Sequence, residues 1–172
     1  MNPNLVSAVF DSHAEAESAV AELRRAGASD SALSVVAKHG EAVDGDPNNG
    51  GAQEFIGKVA AGAGIGTLLG IAALAIPGVG PLVGAGAIAA AAVPGAAVTG
   101  AALGGAAGGL EKVMTDHGVN EEDARYYNGR IDQGGVFVSV DANAAGIDPQ
   151  TAAAILSSAG GHSASSPRVA AL

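Results

Sequence analysis

Apolar and polar positions alternate near the start of the chain. Val6, Ala8 and Phe10 fall on one face and Leu5, Ser7 and Val9 on the other, which predicts a strand over Leu5–Phe10. The period then changes. Ala16, Ala19, Val20 and Leu23 recur at helical spacing behind the capping box Ser12-His13-Ala14-Glu15. In such a box the Ser12 hydroxyl accepts from the Glu15 N–H while the Glu15 side chain reaches back. Arg24 and Arg25 suit the negative end of this helix and Gly27 ends it. Leu33–Ala37 reads as a second strand and completes a β-α-β unit.

The far end repeats the pattern. Asn120 caps a polar helix over Glu121–Ile131, with three acidic residues in its first turn. Gly134-Gly135 turns the chain into a strand in which Val136, Val138 and Val140 alternate with Phe137 and Ser139. Asp148-Pro149 opens a helix to about Ser158. Ser163–Pro167 reads as a disordered tail, with a short last strand within Arg168–Leu172. Two β-α-β halves placed antiparallel make a ferredoxin-like βαββαβ sandwich, so the expected class is α+β. Residues 1–39 and 134–172 form its two halves, and the strands at Leu5–Phe10 and Val136–Val140 should be neighbours.

Between the halves the pattern breaks down. Residues 40–52 are a loop rich in Asp, Asn and Gly, and from Val59 to Leu110 no residue is charged. Pro77, Pro81 and Pro94 divide this span into a long helix near Gln53–Ile76, a middle segment Leu82–Ala92 and a second long helix near Gly95–Asp116. The expectation is a Gly/Ala-rich helical hairpin inserted between the second and third strands, within an insertion covering 53–133. Gly62, Gly66 and Gly70 are spaced by four, as are Gly100, Gly104 and Gly108, so each trio lines one helix face. A face without side chains lets a second helix approach closely, the small-xxx-small mode of pairing. Gly costs roughly 1 kcal/mol against Ala inside a helix, so packing must compensate.

Composition narrows the function classes. The chain has 172 residues, 48% hydrophobic, yet only 3% aromatic and with 27 glycines, so its interior is made of small side chains. A net charge of -9 argues against nucleic acid and anionic lipid headgroups as partners. The absence of Cys excludes disulfides and thiol chemistry. Met1–Phe10 lacks the basic start and apolar stretch of a secretory signal, so the expected location is cytoplasmic.

Candidate chemistry is sparse. Gly51–Lys58 misses the phosphate-loop spacing and puts Val59 where Ser or Thr belongs. Gly78, Gly80 and Gly84 miss the dinucleotide fingerprint. His13, His39, His117 and His162 are scattered. Asp116-His117 with Glu121 and Glu122 has the donor types for a metal, but a helix end favouring a cation followed by an acidic first turn explains them better. Tyr126-Tyr127 sits beside Arg125 and Arg130, where packing of the rings is the simpler account than a ligand. No cofactor and no catalytic set are expected.

Several motifs occur in a familiar order. Val9-Phe10-Asp11-Ser12 opens the chain, and Ala75-Ile76-Pro77-Gly78-Val79-Gly80-Pro81 lies in the Gly/Ala span. Gly118-Val119-Asn120-Glu121-Glu122-Asp123-Ala124-Arg125-Tyr126-Tyr127 leads to Gly134-Gly135-Val136-Phe137-Val138-Ser139-Val140. Over roughly Leu5–Ser158 this resembles the bacterial heat-induced, general stress protein family with the YflT-type domain. The resemblance implies a role in the stress response and brings no reaction or cofactor. The Ser/Ala-rich end after Gly160 departs from it. The expected function is a non-enzymatic stress protein that self-associates through its glycine-faced helices. The alternative is a hairpin entering the lipid bilayer: a helix over Gln53–Ile76 would be about 36 Å long, enough to cross. In that case the domain would lie at the inner face of the cell membrane.

Overall fold

The computed structural model describes residues 4–38, 72–76, 80–85 and 109–168. In chain order these form β1 (Leu5–Phe10), α1 (His13–Arg25), a 3₁₀ turn (Asp30–Ala32), β2 (Leu33–Lys38), β3 (Ala72–Ile76) and β4 (Gly80–Ala85). They continue with α2 (Gly109–Asp116), α3 (Glu121–Asp132), β5 (Val136–Asp141), α4 (Ala142–Ala145) and α5 (Pro149–Ser158). The chain is therefore α+β.

α1 begins where its sequence requires. The Glu15 N–H donates to Ser12 Oγ at 3.3 Å. The expected reach of Glu15 back to the cap takes second place, because its carboxylate is gripped by Arg168 at 2.7 Å. At the other end Gly27 sits at φ +102°. The Ala28 N–H reaches Leu23 O at 2.9 Å and the Gly27 N–H reaches Arg24 O at 3.0 Å, which closes a Schellman turn. Ser12→Ala should cost about 1 kcal/mol and lower the melting temperature by roughly 2–4 °C. A thermal melt that does not move would remove the cap from the account.

β5 lies between the two N-terminal strands. It pairs antiparallel with β1, from Leu5↔Asp141 to Phe10↔Val136. Its other side pairs antiparallel with β2, from Leu33↔Val140 to Ala37↔Val136. β1 and β2 thus run parallel to each other on either side of it, and the first and last halves of the chain interlock as expected for Leu5–Phe10 and Val136–Val140. β4 and then β3 extend the sheet beyond β2, giving the order β1-β5-β2-β4-β3.

That extension corrects the sequence reading. Ala72–Ile76 was expected to end a long helix, but it is a strand paired with β4 from Ala72↔Gly84 to Ile76↔Gly80. Leu82–Ala85, expected to open a separate middle segment, pairs with β2. A short apolar run such as Ala72–Ile76 carries no period that separates helix from strand. The decision falls to a partner: the outer side of β2 presents unpaired N–H and C=O groups, and β4 satisfies them. Of the second expected helix, Gly95–Asp116, the part within the described residues, Gly109–Asp116, is helical. Gly62, Gly66, Gly70, Gly100, Gly104 and Gly108 lie outside the described residues.

Alternation along the strands builds two cores. On one face Ala8, Phe10, Val35, Ala37, Val136, Val138 and Val140 meet Leu23 and Val20 of α1 and Leu156 of α5. On the other, Val9, Val36 and Phe137 meet Leu110 and Met114 of α2 and Ala124, Tyr127 and Ile131 of α3. The polar helix at Glu121 is thus a second layer, laid on the sheet through three buried residues.

The end of the chain also departs from expectation. Ser163–Pro167 is ordered: Ser163 and Ser166 exchange backbone hydrogen bonds at 3.2 Å. Strand-like contact with β1 comes earlier than Arg168, through a single antiparallel bridge between Val9 and His162. Of the expected last strand, Val169–Leu172 lies outside the described residues.

Candidate functional site

Charged and polar side chains from distant parts of the sequence converge where β1 hands over to α1. Asp11 occupies this junction. Its carboxylate accepts from Arg130 of α3, from Arg168 Nη1 at 3.0 Å and from His162 Nε2 at 3.3 Å. Arg168 also grips Glu15 of α1, at 2.7 and 3.2 Å. On the far side of the imidazole, His162 Nδ1 lies 2.9 Å from the Tyr126 hydroxyl.

The protons follow from the partners. An ionised Asp11 can only accept, so the hydrogen on His162 sits at Nε2. Nδ1 is then an acceptor, and Tyr126 donates to it. Burial pushes the Asp11 carboxyl up, but Arg168, Arg130 and His162 together outweigh this and hold it below the ordinary carboxylate range. The Arg168 hydrogen bond is the main cause of a lowered Glu15. Burial pulls His162 below its ordinary value, against the pull of Asp11, with Arg130 and Arg168 adding to the depression. The imidazole is 4% exposed and neutral at pH 7.

Tyr126-His162-Asp11 has the order of a hydrogen-bond relay, from hydroxyl through imidazole to carboxylate. Two guanidiniums share the carboxylate, however, which draws charge away from the imidazole. The cluster ties the segment after α5 to α3 and to the start of α1. Ala164 adds a backbone N–H to Asp123 Oδ1 at 2.8 Å. Beside His162 lies a cavity of about 190 Å³, between Val6–Ala8 of β1 and Ala153, Leu156 and Ser157 of α5.

The residues singled out from sequence fare differently. Tyr127 is fully buried, its ring centroid 5.2 Å from that of Phe137 and its hydroxyl donating to Ser7 O at 2.9 Å. Burial raises its pKa. Tyr126 lies edge-on to His162, with ring centroids 5.7 Å apart. Arg130 joins the cluster. His117 Nδ1 faces the Val113 carbonyl at 2.9 Å, and Asp116 pairs with Lys112 at 3.0 Å. Among the described residues no three metal-ligating side chains meet.

Asp11, Glu15, His162 and Arg168 were not recognised as partners in the sequence. They are separated by up to 157 positions. From Ser157 to Leu172 the only side chains that titrate or carry charge are His162 and Arg168, and nothing in that spacing indicates which residues they meet.

No family model, curated protein or solved structure matches the chain.

Proposed function

We propose that this chain is a non-catalytic bacterial stress-response protein, akin to the general stress family its motifs resemble. In this reading it self-associates through Gly62, Gly66, Gly70, Gly100, Gly104 and Gly108. Its α+β part is a ferredoxin-like sandwich whose fourth strand is reduced to the Val9–His162 bridge; the parallel pair β1 and β2 flanking antiparallel β5 supports this. The observation that carries the functional reading is the anchoring of the charge-free span. β3 and β4 inside it extend the sheet, and its last residue, Leu110, is buried on the second face. The glycine-bearing stretches are therefore tethered to one domain at three points, which favours their use as packing surfaces between copies.

The bilayer reading loses length. With Ala72–Ile76 in the sheet, a first arm over residues 53–71 would shorten to about 28 Å, near the lower end of the length that spans a hydrocarbon core of about 30 Å. Among the described residues no helix is long and apolar enough to cross a membrane.

If the glycine faces pack as proposed, Gly66→Leu and Gly104→Leu would each put a branched side chain into that contact, at about 1–3 kcal/mol per subunit. Size-exclusion chromatography with light scattering should show smaller particles, with far-ultraviolet circular dichroism unchanged. An unchanged mass for both variants would mean that the glycine faces pack nothing. Recovery of the protein only with detergent would favour the bilayer instead.

A further inference from the structure

We propose that residues His162–Arg168 form an acid-released strap, held over the outer edge of β1 near neutral pH by the Asp11, Glu15, Arg130 and Arg168 charge cluster and lifting as that cluster takes up protons.

Among the described strands β1 is an edge, and the strap lies along its outer side. Backbone bonds among the described residues hold the strap to β1 at one pair, Val9 N–H to His162 O at 2.9 Å and His162 N–H to Val9 O at 3.0 Å. The chain then leaves the strand in the Ser163–Ser166 turn. Every other attachment named above ends on a titratable group. Ala164 hangs on Asp123, Arg168 on Asp11 and Glu15, and the His162 ring on Asp11 and Tyr126. On the α5 side the strap borders the cavity of about 190 Å³, where its walls lack the dispersion contacts of a filled core. Its base is firm, since Gly161 is packed on Leu156, Ala8 and Phe10. Opening therefore pivots beyond Gly161.

Asp11, Glu15 and His162, the shifted groups that titrate in the acid range, respond to acid with the same sign, while Arg168, raised by its hydrogen bonds to Glu15 and Asp11, stays charged throughout. Asp11 and Glu15 have depressed values in the closed state. Their contribution is complete above the ordinary carboxylate value of about 4 and is lost as pH falls through the depressed values. His162 is also depressed, so the open state binds its proton more readily. Its contribution is complete above about pH 6.5 and declines below it. Once protonated, the imidazole loses the Nδ1 acceptor that Tyr126 uses and brings a third cation to Arg130 and Arg168. The groups facing the strap are Asp11 and Glu15 at the start of α1 and Asp123, Tyr126, Tyr127 and Arg130 from α3, Tyr127 through a side-chain hydrogen bond with Ser163; α5 has no titratable residue in its sequence. Release uncovers the Val9 N–H and C=O together with the cavity wall at Val6 and Ala8, an open strand edge of the kind that accepts another strand.

Amide hydrogen exchange on the full chain tests this, with rates expressed as protection factors so that intrinsic pH effects cancel. Arg168→Gln should lower protection at Val9, His162 and Ala164 by roughly tenfold or more near pH 7, while the β2–β5 ladder keeps its protection. In the wild type the same three amides should begin to lose protection below about pH 6.5, as His162 takes up its proton, and lose the rest below about pH 4, as Asp11 and Glu15 take up theirs. His162→Gln should shift that loss toward the carboxylate range. Two results overturn the strap. One is no selective change at the three amides, in Arg168→Gln or in acid. The other is a loss that runs in step with the β2–β5 ladder, which would be global unfolding.

Discussion

Phe137→Ala is expected to destabilise the fold by about 3–5 kcal/mol. Phe137 lies on β5, an interior strand, fully buried, with Val9 and Val36 as its cross-strand partners. The Tyr127 ring stands against it at 5.2 Å. Truncation to Ala removes the transfer energy of the ring and leaves a cavity, and the cost depends on how far the neighbours can collapse. Here they can collapse little. The chain has 3 Phe, 2 Tyr and no Trp, so few large side chains exist to swing in. Tyr127 is itself fixed by its hydroxyl on Ser7 O. Urea unfolding should show a lower midpoint with an unchanged slope. A loss below about 1.5 kcal/mol would contradict a close-packed second core.

Gly161→Ala should be nearly as damaging, at about 3 kcal/mol. A Cβ there would stand 2.6 Å from Leu156 O, 2.8 Å from Ala8 Cβ and 2.9 Å from Phe10 Cζ. None of the three can yield cheaply. The Leu156 carbonyl accepts the Gly161 N–H at 2.8 Å and closes the end of α5. Ala8 is backbone-borne on β1, and Phe10 is fully buried in the first core. Gly27→Ala is the control. Its φ of +102° strains any side chain, but a Cβ would meet nothing within 4 Å. Its cost should stay near 1–2 kcal/mol. Chemical denaturation of both variants decides the matter: if Gly161→Ala proves no worse than Gly27→Ala, close approach at the base of the strap is not what Gly161 provides.

The local patterns of this chain were legible because each depends on near neighbours. Ser12, Asn120 and Asp148 cap their helices through N–H groups two or three residues away. The alternation from Val136 to Val140 divides the two cores as a period of two demands. Even the adjacency of Leu5–Phe10 and Val136–Val140 could be anticipated, from the match between the two halves.

Tertiary structure decided what short-range pattern leaves open. Ala72–Ile76 suits a helix or a strand equally well, and the unpaired side of β2, reached through β4, selected the strand. Packing of the tyrosine pair was anticipated, but the acidic first turn and sparse apolar positions of α3 hid that Ala124 and Ile131 would join Tyr127, with Leu110 and Met114 of α2, on the second sheet face. The cluster at Asp11 was the least legible part. Nothing near Asp11 in sequence announces Arg130, His162 or Arg168. Charge pairing has no period along the chain, and which ions meet is set only when β1, α3 and the segment after α5 are brought to the same end of the sheet.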